Sequence, residues 1–185
     1  MSFTRSETIA LLAVLIQPIS IGISYYLGNR ANKIERKKNT LLERYDNFYL
    51  PYVKLLTQRL LTLPIAIKLL DKVSSDALIP FSELIEKNMK YVDKETLEWY
   101  PIFLQVEIDF LEYENETIGF EKIPMFRKAI FLLLVSNILQ QTSRIAHELG
   151  LPDPTITFPS EYTDNDHIMK YLILATQYST DKSLK

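Results

Sequence analysis

The chain has 185 residues, 47% hydrophobic and 24% charged, which is enough apolar material for one domain with a sizeable core plus a short terminal segment. Its formal net charge of -2 provides no general attraction for nucleic acid, so any basic contact surface is local. The lack of cysteine excludes disulfides, thiolate metal sites and cysteine nucleophiles, while 4 glycines against 11 tyrosines and 9 phenylalanines suit packed helices better than turn-rich sandwiches.

Residues 9–28, IALLAVLIQPISIGISYYLG, carry no formal charge, and as a helix they are long enough for a bilayer core of roughly 30 Å. Gln17, Pro18, Ser20 and Ser24 thin the apolar character of the second half. Arg30, Lys33, Arg36, Lys37 and Lys38 follow the stretch, whereas only Arg5, offset by Glu7, precedes it. Positive charge near a span stays on the cytoplasmic side, so this asymmetry predicts a single-pass cell-membrane protein with its N-terminus outside and its C-terminal domain in the cytoplasm. Cations placed after the apolar run argue against a cleaved signal peptide. Tyr25 and Tyr26 fall where interfacial aromatics are expected. The five flanking cations read as a contact for anionic headgroups or as a plain topology signal.

The expected fold is all-α, an N-terminal transmembrane helix followed by an antiparallel, bundle-like helical domain. Residues 1–29 are the anchor, 30–40 the basic juxtamembrane segment, 41–179 the domain and 180–185 a flexible tail. Leu41, Tyr45, Phe48, Tyr52, Leu55 or Leu56, Arg59 or Leu60, and Leu63 recur at helical spacing, and nothing breaks the chain between residues 29 and 50, so a single rod is expected. Pro51 or Pro64 should kink or break it. The polar run of residues 71–77 marks a corner, after which Pro80 is expected to open a helix with Phe81, Leu84, Ile85 and Met89 on one side. Asp93 is the expected cap of a helix from residue 94 toward 117, which Pro101 should kink or restart and Gly119 should end. Pro124 opens the strongest helix, which Gly150 stops and Pro152 keeps from resuming; its apolar run at 129–139 is too short for a second crossing and fits a core. Residues 151–166 read as an ordered loop, in which TITF lacks a strand partner. A last helix over residues 164–178, capped by Thr163 with Asp166, should turn Ile168, Leu172 and Ala175 inward.

Few groups point to chemistry. His147 begins an HEL sequence, but position 151 is Leu where a metalloprotease helix needs its second histidine. His147, Glu148, Asp164, Asp166 and His167 would form a mixed-ligand metal site if the loop folded back; otherwise His147 serves the helix end, and neither metal nor cofactor is expected. Glu95, Glu98, Glu107, Asp109, Glu112, Glu114, Glu116 and Glu121 make one region acidic, as a solvated face or a surface for a basic partner. Glu107 and Asp109 also have the proximity that general acid and base catalysis uses, but no phosphate loop, serine elbow or convergent histidine accompanies them. Tyr45, Phe48, Tyr49 and Tyr52 form an aromatic stripe, either core or a surface for a partner or a second copy. The expected function is therefore a noncatalytic, membrane-tethered interaction or scaffold module with a protein partner or homo-oligomer and no nucleic acid. The alternatives are a metal-dependent enzyme at His147 and His167, or a soluble accessory protein whose first helix packs on its own bundle.

Overall fold

A computed structural model describes residues 5–59, 74–114, 122–159, 162 and 165–183, with side chains described from residue 24 onward except at 113, 114, 165 and 181–183. Contacts divide the chain into two units, Met1–Leu41 and Leu42–Lys185.

Helix α1, Arg5–Arg44, accounts for the described residues of the first unit and continues in sequence into the second. Every described side chain from 24 to 40 is exposed. The chain then continues as a single π-helical turn, Tyr45–Tyr49, into α2, Leu50–Gln58. Pro51 explains the turn. A proline lacks the amide proton and presses its ring on the carbonyl one turn earlier. Loosening that turn, with the Leu50 N–H donating to the Tyr45 carbonyl, accommodates the ring without breaking the helix. Pro64, residues 71–73 of the expected corner, Gly119 and the Thr163 cap lie outside the described residues, while residues 75–77 of that corner already belong to the next helix.

Helix α3, Ser75–Lys87, starts before Pro80 rather than at it: Ser74 is extended at the N-terminus, and Pro80 lies inside the helix. Leu78, Phe81 and Ile85 form its buried stripe, while Met89 is exposed because the chain has already tightened into a 3-10 turn, Met89–Tyr91. Helix α4, Lys94–Glu114, runs through Pro101 without interruption. As expected, Asp93 caps it: the Thr96 N–H donates to Asp93 Oδ1 at 2.9 Å and the Thr96 hydroxyl to Oδ2 at 2.7 Å.

Helix α5, Ile123–Leu149, is the core of the second unit. It packs against α4, against α6 (Asn165–Ser183) and against the π turn, while α2 packs against α3. Contact on several sides explains why residues 129–136 are buried without a break. Phe103 meets Phe131 and Phe110 meets Arg127, so α4 and α5 run antiparallel. At the end of α5, Gly150 adopts φ 70°, with the Gly150 N–H donating to the His147 carbonyl and the Leu151 N–H to the Ala146 carbonyl. This pairing satisfies carbonyls the helix leaves open, and glycine meets the left-handed requirement without a Cβ penalty. In α6 the buried positions are Tyr171, Ala175 and Tyr178; Ile168 and Leu172 are only half-buried, so the inward face is rotated from the expected one.

The second unit is an all-α helical bundle, but the expected membrane anchor is corrected. Among the described residues, one helix has the length and apolar content to cross a bilayer, and it is the mid-chain α5, not a helix at the N-terminus. Of its apolar window, 72% is buried, as befits a core helix. The single-pass topology with an outside N-terminus and a cytoplasmic C-terminal domain required the N-terminal position and falls with it. The side chains of residues 9–23, where that reading began, lie outside the described residues.

Candidate interaction surface

The aromatic stripe proposed for partner binding lies inside the protein. Tyr45, Phe48, Tyr49 and Tyr52 are all buried, because their helical spacing turns them onto the domain's own core. Phe48 and Tyr52 begin a ring ladder across the π turn and four helices: Phe48 to Tyr52 at 5.8 Å, Tyr52 to Phe81 at 5.5 Å, Phe81 to Phe131 at 5.5 Å and Phe131 to Phe103 at 5.9 Å. Tyr49 meets the Phe48 ring edge-on at 5.0 Å and also uses its hydroxyl, which accepts from Arg44 at 2.9 Å and faces Asp93 at 3.5 Å. Burial first, with the Asp93 charge adding and Arg44 opposing, pushes its pKa up to about 12.

The acids of α4 separate into different environments. Glu95, Glu98 and Glu112 are exposed, and Glu98 pairs with Lys94. Glu107 receives Arg127 in a two-pronged pair, with Nε donating at 2.7 Å and the second nitrogen at 3.2 Å. Arg127 is 1% exposed and also lies over the Phe110 ring at 4.0 Å. Asp109 is buried, accepting from Gln105 at 3.0 Å and from the Tyr178 hydroxyl at 2.5 Å. Burial, with that bond and the charge of Asp109, raises the Tyr178 pKa. The two carboxylates suggested for acid and base work therefore join α4 to α5 and to α6. Glu114, Glu116 and Glu121 lie outside the described side chains.

His147 is exposed in the last turn of α5, and His167 is half-buried early in α6. No group of three or more His, Cys, Asp or Glu able to hold a metal occurs among the described residues. Asp164, one of the suggested ligands, lies outside them.

What His147 does border is an open groove of about 610 Å³ between the C-terminal half of α5 and the loop at 151–159. Asp153 shapes the loop: its Oδ1 accepts from the Thr155 N–H at 2.8 Å and hydroxyl at 2.7 Å, and its Oδ2 accepts from Ser143 of α5 at 2.6 Å. TITF, which begins at Thr155, consequently turns rather than extends as a strand. Burial alone would raise the Asp153 pKa, but the Ser143 and Thr155 bonds outweigh it and hold the carboxyl below its usual value. Ser143→Ala is expected to move that pKa upward, read as the carboxyl carbon shift in an NMR titration; an unchanged midpoint would remove Ser143 as a cause. A depressed carboxyl stabilises the fold above the ordinary aspartate range and loses that contribution as pH falls through its lowered value.

Beside Asp153 the loop exposes Ile156, 79% accessible, and Leu151; Arg144, His147 and Glu148 complete a polar wall. The flanking cations Arg30, Lys33, Arg36, Lys37 and Lys38 are all exposed on α1. Sequence reasoning passed over Arg127 and Asp153. Asp153 had a readable signal, an Asp two residues before Thr in a proline-rich turn, whereas nothing local marks Arg127 as buried. No family model, curated protein or solved structure matches the chain.

Proposed function

We propose that this chain is a noncatalytic helical interaction module whose second unit holds another protein, or a second copy of itself, at the groove beside the end of α5. The observation that carries the reading is Ile156, an apolar side chain held out toward water on a turn pinned by Asp153 and beside an open groove. A rigid apolar anchor with polar neighbours is the arrangement from which protein contacts draw most of their energy. The dedication of Glu107 to Arg127 and of Asp109 to Tyr178 supports a structural rather than catalytic use of the acids. The apolar helix α5 has the composition for bilayer contact, but its burial favours a role as the scaffold behind the groove.

Proximity labelling from the C-terminus in the native cell tests this. Ile156→Asp should remove specific neighbours that Ile173→Asp, an equally surface-directed change on α6, retains. Identical labelling by the wild type and both variants would end the assignment of the groove.

A further inference from the structure

The exposed part of α1 has a sidedness that the groove does not use. Successive helical residues turn by about 100°, which places Tyr26, Arg30, Lys33 and Lys37 within an arc of about 60°. Leu27 and Ile34, seven residues apart, make an apolar strip alongside, and Glu35, the one acid among these cations, falls on the far side with Asn32 and Asn39. All of these residues are exposed, and Tyr26, Leu27 and Ile34 reach 66%, 56% and 61%. The cations therefore stand next to large apolar and aromatic side chains in water, within a chain whose net charge is -2.

We infer that this face of α1 docks along an anionic phospholipid surface. Charge complementarity selects an anionic partner, because five cations meet a single acid in residues 30–38 and no acid occurs between Glu7 and Glu35. The neighbouring strip selects lipid over other polyanions. Leu27 and Ile34 gain by entering the acyl boundary, Tyr26 suits headgroup depth, and the long stems of Lys33 and Lys37 cover apolar surface while their ammonium groups stay at the phosphates. A second copy meeting this face in parallel would set like charges against each other. The contact lies along a surface and involves no crossing, and it goes beyond the groove reading without depending on it.

The test is co-sedimentation of the full chain with phosphatidylcholine vesicles and with phosphatidylcholine and phosphatidylglycerol vesicles, read as the ratio of the two partition constants. The three cations of the stripe, at the usual strength per cation near an anionic surface, give an expected preference of about 100-fold for the anionic vesicles at low salt. Arg30→Glu, Lys33→Glu and Lys37→Glu together should reduce that ratio at least tenfold, roughly, with the helical circular dichroism of the domain retained. Lys54→Glu, Lys87→Glu and Lys170→Glu change the net charge equally on exposed positions of the second unit and should leave most of the preference. Equal partition into both vesicles, or equal loss in the two triple variants, overturns the inference. Stronger binding to duplex DNA than to the anionic vesicles transfers the face to nucleic acid and overturns it too.

Discussion

Glu107→Leu is expected to destabilise the folded state by about 3–5 kcal/mol, measured as the free energy of unfolding in guanidinium chloride. The guanidinium of Arg127 is 1% exposed and loses a two-pronged carboxylate at 2.7 and 3.2 Å, while its side chain stays inside the bundle. Its position 4.0 Å over Phe110 recovers only part of the loss. The double variant Glu107→Leu with Arg127→Met should be markedly more stable than Glu107→Leu alone, because removing one half of a buried pair costs more than replacing both halves by apolar side chains. A single variant within about 0.5 kcal/mol of wild type would place the pair in solvent and contradict the packing of α4 on α5.

The second large effect concerns the centre of the aromatic ladder. Phe131→Ala should cost about 3–5 kcal/mol, since it leaves a cavity between rings that close on it from α3 at 5.5 Å and from α4 at 5.9 Å. Phe131→Leu fills most of that space and should cost clearly less. At about 2–4 °C per kcal/mol for a chain of this length, calorimetry separates the two variants. Equal melting temperatures for Phe131→Ala and the wild type would mean that the rings do not meet as described.

Punctuation and periodicity were legible in particular residues. Asp93 capped where its sequence indicated, Gly150 stopped α5 in the left-handed region, and residues 129–139 became the core. Each depends on neighbours in the chain, which a sequence displays directly. Pro80 and Pro101 were harder, because a proline is tolerated inside a helix when packing outweighs the missing hydrogen bond. The anchor misled for another reason. Residues 9–28 and the apolar run of α5 both invite a membrane reading; among the described residues length and hydropathy single out α5, and only the neighbours brought by folding show that it is a core helix. The candidate site was the least legible part. Tyr45, Phe48, Tyr49 and Tyr52 have the same spacing whether they face a partner or the protein's own α5. Ile156 gained meaning only when Asp153 tied its loop to Ser143, a contact across ten positions.

The ring ladder also sets the order in which this protein can become complete as it is synthesised. Phe48, Tyr52, Phe81 and Phe103 leave the ribosome before Phe131, the residue on which the stack converges. A nascent chain that stops short of α5 thus holds greasy rings with nowhere to converge, and its vulnerability to clumping is greatest just before the last third of the polypeptide emerges.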